Sequence, residues 1–108
     1  MYGRYFSKFY EKQSVKTRDK IDYVIDIIKH IEKVPLQFLK HIEGTAGLYE
    51  IRVSTTFNQI RIFCFFEKGR IVVLTNCFVK KTQKTPKKEL EFAIKLIKEY
   101  LTTKKEGV

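Results

Sequence analysis

Five lysines, Lys80, Lys81, Lys84, Lys87 and Lys88, fall within one stretch of the chain, Phe78-Val79-Lys80-Lys81-Thr82-Gln83-Lys84-Thr85-Pro86-Lys87-Lys88-Glu89-Leu90. Such a run is ordinarily a solvated surface. This one leads from an apolar strand into a helix N-terminus, where the peptide dipoles favour anions, so Lys84, Lys87 and Lys88 sit unfavourably unless an anion or acidic partner is present. A local rule broken in this way is the mark of a functional site. Arg52 and Arg61, on the preceding segments, carry guanidinium forks that match phosphate oxygens bidentately. The combination suits a nucleic-acid backbone.

The elements that must hold these cations follow from periodicity. Tyr2 to Tyr10 is rich in Tyr and Phe and reads as a short first strand, although the pairs Tyr5-Phe6 and Phe9-Tyr10 also fit the start of a helix. Ser14 is a plausible N-cap, and Ile21, Val24, Ile25, Ile28 and Ile31 then follow helical spacing to about Lys33. Pro35 opens a second predicted helix with Phe38, Leu39 and Ile42 as its stripe, making a helical hairpin that stops at Gly44 and Gly47. Gly44-Thr45-Ala46-Gly47 lacks the Gly-Lys-Ser/Thr ending of a phosphate loop. Leu48 to Ser54, Gln59 to Phe66 and Ile71 to Val79 read as a three-stranded antiparallel meander. A last helix is capped by Thr85 with Pro86 at its first position, buries Leu90, Ala93, Ile94, Ile97, Tyr100 and Leu101, and frays from Thr102 to Val108. The fold class is α+β.

If Lys68-Gly69 is a two-residue hairpin loop, Glu67 pairs with Arg70, Phe63 with Leu74 and Arg61 with Asn76. A turn over Thr55 to Asn58 sets Arg52 opposite Arg61. Alternation then places Arg52, Arg61, Asn76, Phe78 and Lys80 on a ligand-facing side and Ile51, Val53, Ile60, Ile62, Ile71 and Val73 on the side that packs against helices. Two arginines directly opposite have Cβ atoms about 5 Å apart, and unit charges at that distance repel by roughly 1 kcal/mol in water or about 3 at an effective dielectric of 20. Splaying into solvent relieves this, as does a counter-charge between them. Glu50 shares their strand parity and is one answer; a phosphate is the other, and the adjoining lysines favour it.

Composition sets the outer bounds. With 108 residues, 44% of them hydrophobic, the chain has material for one domain (1–108) and one modest core. A net charge of +10 calls for a polyanionic partner or an acidic protein that masks it. Neither a membrane-length apolar run nor a signal-peptide pattern is present, so a cytoplasmic location is expected. Cys64 and Cys77 lie about 13 Å apart along the strand in this register, too far for a disulfide, and have no zinc-like spacing. Both are expected to be free, buried thiols.

Gly47-Leu48-Tyr49-Glu50-Ile51-Arg52-Val53, Ile60-Arg61-Ile62-Phe63 and Phe78-Val79-Lys80-Lys81-Thr82-Gln83-Lys84-Thr85-Pro86 resemble the signature of phage-related HigB-type toxins of the RelE/ParE superfamily. The order of predicted elements is similar as well. The resemblance implies a toxin of a type II toxin-antitoxin pair that is a ribosome-dependent mRNA endoribonuclease and is neutralised by a helix-turn-helix HigA-type antitoxin. The reaction it implies needs no metal or other cofactor; its partners would be the ribosome, mRNA and the antitoxin, and the lack of a membrane-length apolar run leaves no membrane among them. By the same resemblance Arg52, Arg61 and one or more of Lys80, Lys81 and Lys84 hold the mRNA backbone and stabilise the transition state. RelE carries a lysine where this chain has Glu50, which reads either as a general base or as an orienting partner for Arg52 or Arg61.

The reaction so implied is attack of a ribose 2′-OH on the adjacent phosphate. It needs cations beside the developing charge, a proton acceptor, a proton donor and alignment. Arg52 and Arg61 supply the first. His30 and His41 lie on the helical side, so a lysine of the 80–84 cluster, its amine made more acidic by crowded cations, is the candidate for proton transfer. Asn76, Lys87 and Lys88 extend the expected RNA-binding surface, and Phe78 or Tyr100 could stack a base. Two other classes compete: a ParE-like inhibitor of gyrase with the same fold and no nuclease activity, and a plain basic RNA-binding module. The antitoxin would offer acidic side chains or an inserted segment to the basic face, or block ribosome entry by bulk.

Overall fold

A computed structural model describes residues 3–81 and 84–106. It is α+β: α1 (Arg4–Glu11), α2 (Val15–His30), β1 (Leu39–His41), β2 (Leu48–Ser54), β3 (Gln59–Glu67), β4 (Arg70–Val79) and α3 (Lys87–Glu106), with one antiparallel sheet in the order β1-β2-β3-β4. The meander and the C-terminal helix are those expected.

The first expected strand is a helix instead, and Tyr2 lies outside the described residues. Phe6, Phe9 and Tyr10 recur at helical spacing, which lets all three pack on one side against the core. Tyr5 turns the other way and meets Phe92 of α3 edge-on at 5.1 Å, so α1 and α3 close around the β4 edge. Ser14 caps α2 by accepting from Thr17 N–H at 3.2 Å, as expected, but the helix ends at His30, where Ile31 turns to extended backbone.

The helix expected from Pro35 is also overturned. Phe38 and Leu39 N–H close one turn on the Pro35 carbonyl, after which Leu39–His41 pairs with β2. As a strand, Leu39–His41 gains ladder bonds along the edge of β2 that a helix in this place would leave unmade. α3 runs past the expected fraying point at Thr102 to Glu106.

Lys68 and Gly69 both have positive φ, 54° and 79°, the signature of a two-residue type I′ hairpin, and Glu67 pairs with Arg70 as expected. Beyond that point β4 departs from the simple register. Two irregularities shift the pairing by two residues, so Arg61 lies opposite Phe78 rather than Asn76, and Leu74 opposite Cys64 rather than Phe63. The first of these also moves Val73 off the face on which it was expected: it pairs with Phe65, which packs on α3. Cys77 now lies opposite Ile62, only two residues from Cys64, yet both cysteines are free.

Both sheet faces carry helices, where one had been expected to be open. Ile21, Val24 and Ile28 of α2 bury Ile51, Val53, Ile60, Ile62, Cys64 and Leu74 on one side. On the other, Ala93 and Ile97 of α3 cover Leu48, Phe63 and Phe78. α3 covers only part of its face, and the charged residues of β2 and β3 lie beyond it.

Candidate functional site

β2 and β3 pair with Arg52 directly opposite Arg61, and β1 sets Lys40 opposite Glu50. Partners across a ladder point to the same face, so these four side chains share the α3 face of the sheet toward the β2–β3 turn. Lys80 continues the row, its N–H donating to the Gln59 carbonyl at 2.7 Å just past the end of β4.

Glu50 is the hub. Only 2% of it is exposed. Its Oε1 accepts from Arg52 Nε at 3.1 Å, and Arg61 Nε lies 3.4 Å from the same oxygen. That second approach is an ion pair without hydrogen-bond alignment, and the buried Arg61 Nε makes no hydrogen bond. Glu50 Oε2 accepts from the Thr85 hydroxyl at 3.0 Å, which ties the entry of α3 to the centre of β2. Thr85 was expected as a helix cap; the first α3 turn closes on the Pro86 carbonyl while the Thr85 hydroxyl proton goes to Glu50.

Arg61 is 8% exposed and donates Nη1 to the Ile60 carbonyl at 3.0 Å. Burial lowers its pKa from the ordinary arginine value; Glu50 opposes the shift and Arg52 adds to it. Arg52 is more open and reaches the Leu36 carbonyl with Nη1 at 3.4 Å. Lys80 is partly exposed, and desolvation lowers its pKa; Glu50 opposes this, and Arg61, Arg52 and Lys40 reinforce it. One carboxylate therefore faces four cations, and that excess of positive charge is what the site offers an anion.

Other expected residues lie elsewhere. Phe78 is a core residue whose ring packs on Phe63 with centroids 5.6 Å apart, so it is not a surface for stacking. Asn76 is buried and donates Nδ2 to the Glu89 carbonyl and to Glu89 Oε1 at 3.0 and 2.9 Å, fastening α3 to β4. Lys81, Lys84 and Lys88 are exposed, Lys87 lies 3.9 Å from Glu91, and Thr82 and Gln83 are outside the described residues. His30 bonds back to Asp26 and His41 to the Thr45 carbonyl, both away from the cation row. Among the described residues no three His, Cys, Asp or Glu side chains converge as a metal site.

A family model described as Phage derived protein Gp49-like (DUF891) matches residues 8–98, a span that holds the whole cation row. The chain belongs to this family. Gp49-like proteins are associated with toxins of toxin-antitoxin pairs of RelE/ParE-like type, a context in which an antitoxin is the partner. No curated protein and no solved structure matches the chain. Among the described residues of this Gp49-like chain, no helix is long and apolar enough to cross a membrane.

Two members of the Gp49-like site escaped the sequence. Lys40 was placed on a helix because three apolar residues, Phe38, Leu39 and Ile42, satisfied helical spacing; a strand reading would have set it beside Glu50. Thr85 had a sufficient explanation as a cap, and no local signal points from it to a residue 35 positions earlier.

Proposed function

We propose that the chain is a HigB-type toxin, a ribosome-dependent mRNA endoribonuclease that arrests translation and is neutralised by a small helix-turn-helix antitoxin. The observation that carries this reading is the row Lys40, Arg52, Arg61 and Lys80 around the single buried carboxylate of Glu50. An uncompensated cationic row is costly to a folded chain and useful to a polyanion. Arg52 and Lys80, more open than Arg61 and next to it, are suited to touch a phosphate, with the exposed Lys40 at the edge of the row; Arg61, buried, contributes its field and sets Glu50 in place.

Attack of the ribose 2′-OH on the adjacent phosphorus forms one P–O bond and breaks the bond to the leaving 5′ oxygen. Negative charge grows on the phosphoryl oxygens, where Arg52 and Lys80 stabilise it. Lys80, whose pKa is lowered, is the group best suited to exchange a proton with the 2′ or 5′ oxygen. Glu50, tied to two arginines and Thr85, serves as their orienting partner rather than as the base. Alignment for in-line attack comes from the mRNA held in the ribosome.

The test compares cleavage of ribosome-bound mRNA by wild type, Arg52→Ala and Lys80→Ala, with folding checked by circular dichroism. Losing one donor to a developing oxyanion lowers the rate by about 100- to 1,000-fold. Undiminished cleavage by both folded variants refutes the assignment. Growth arrest with intact mRNA and a DNA-damage response would replace it with gyrase inhibition.

A further inference from the structure

Phe57 is 90% exposed, the most exposed large apolar side chain among the described residues. It stands at the tip of the β2–β3 hairpin, and the tip is braced. Thr55 N–H donates to the Asn58 carbonyl at 2.9 Å, Asn58 N–H returns to Thr55 Oγ1 at 3.0 Å, and the Ser54 hydroxyl donates to Gln59 Oε1 at 2.8 Å. A single exposed apolar residue is unremarkable on a protein surface. A ring held in water at the braced tip of the hairpin that carries Arg52 and Arg61 is a different case.

The turn belongs to the same hairpin as the site. Arg52 and Arg61 pair two ladder steps below its closing residues Ser54 and Gln59. Lys80 is bonded through its N–H to Gln59, which lies only two residues from Phe57, at most about 7 Å along the chain. Single-stranded nucleic acids are held by this pairing of parts, cations along the backbone and an aromatic face for a base.

We propose that Phe57 is a base-stacking residue: it takes a nucleotide of single-stranded mRNA flanking the phosphate held at Arg52 and Lys80, and so helps to position that phosphate. This rests on the RNA-cleaving reading given above. Stacking on a phenyl ring is tolerant of base identity, so Phe57 contributes affinity and alignment more than sequence choice. A protein partner would use such a ring differently, inserting it into an apolar pocket, and the cations lower on the hairpin would then not be required.

The chain contains no tryptophan, so Phe57→Trp supplies a sole indole reporter at the tip. Its fluorescence should be quenched on adding a short single-stranded RNA, which carries no indole, and should stay unchanged on adding inorganic phosphate. In the cleavage assay Phe57→Ala should lose about 5- to 150-fold in apparent mRNA affinity, with Phe57→Tyr and Phe57→Trp restoring it and Phe57→Leu not. Because the side chain is nearly all in solvent, folding and melting temperature should be unchanged in every variant. If wild type cuts mRNA, Arg52→Ala does not, and Phe57→Ala matches wild type, the stacking role alone is overturned. If wild type does not cut ribosome-bound mRNA, both readings fall. Loss of antitoxin binding with cleavage intact in Phe57→Ala overturns it in favour of a protein anchor.

Discussion

Glu50→Gln removes the one charge that separates Arg52 from Arg61 while preserving shape and one of the two acceptor oxygens. The Nε atoms of both arginines approach the same Glu50 oxygen, at 3.1 and 3.4 Å. The two nitrogens are therefore within about 6.5 Å of each other, where unit charges repel by about 2.5 kcal/mol at an effective dielectric of 20 and by about 0.6 in water. Arg52 has 26% of its side chain in solvent, so its share of the repulsion is screened; Arg61, at 10%, cannot be relieved in that way. Withdrawing the partner of a buried ion costs about 3–5 kcal/mol. The lower figure is the better one here, since the glutamine oxygen still accepts from Arg52 and its amide nitrogen can donate to the Thr85 hydroxyl oxygen.

A loss of about 3 kcal/mol is a large part of the roughly 5–15 kcal/mol that holds a domain of this size. At about 4–8 °C per kcal/mol it lowers the melting temperature by more than about 10 °C. Urea denaturation measures the loss, and a second substitution, Arg61→Met, in the same background should recover part of it by removing the stranded charge. Inorganic phosphate should stabilise Glu50→Gln more than wild type by taking the vacated role. A Glu50→Gln protein melting within about 2 °C of wild type, or a double variant weaker than both singles, would refute the hub role. A stable Glu50→Gln protein that had lost only cleavage would make Glu50 the general base instead.

Asn76→Ala removes both donations to Glu89 and should cost about 1–3 kcal/mol by urea titration. Gly47 has φ 91°, and an added Cβ would lie 2.9 Å from the Phe66 carbonyl oxygen, whereas Gly44, φ 81°, has nothing within 4 Å. Gly47→Ala should therefore destabilise clearly more than Gly44→Ala, which carries only the left-handed backbone cost of about 1–2 kcal/mol. Burial pushes the Cys77 thiol up to about 12 and the Cys64 thiol up as well, so neither should react with a thiol reagent at neutral pH until the chain is denatured. Lys80 titrates below the ordinary 10.5 when folded, so in the window just under that value the unfolded chain binds more protons and stability rises with pH. Lys80→Met should flatten that rise in melting temperature.

The opposition of Arg52 and Arg61 was legible because it depends only on a short turn and period-2 alternation. So were the Lys68-Gly69 hairpin and the amphipathic stripes of α2 and α3. What escaped was non-local. The aromatics of α1 satisfy both periods, and β4 and α3 decide between them. The two irregularities between β3 and β4 have no signature in Gly or Pro, yet they set Phe78 beside Arg61 and turn Val73 to the α3 face. Lys40 could not join the site while its segment read as a helix.

The position of the site follows from where α3 begins. The chain leaves β4 at Val79 and must cross the sheet face before Leu90, Ala93, Ile94 and Ile97 can cover the rows of Leu48, Phe63 and Phe78. The rows nearer the β2–β3 turn have no helix above them. There the chain places Glu50, Arg52 and Arg61, whose charges pair with one another where Glu50 and Arg61 are buried. Asn76 and Thr85 hold the helix entry at that boundary, one to Glu89 and the other to Glu50. Moving the entry by a turn toward the hairpin would cover the cations, and moving it away would expose Phe78. Within the lysine stretch, Lys80, its N–H bonded to the Gln59 carbonyl, is placed by the sheet beside the arginines, while Lys87 and Lys88 open α3.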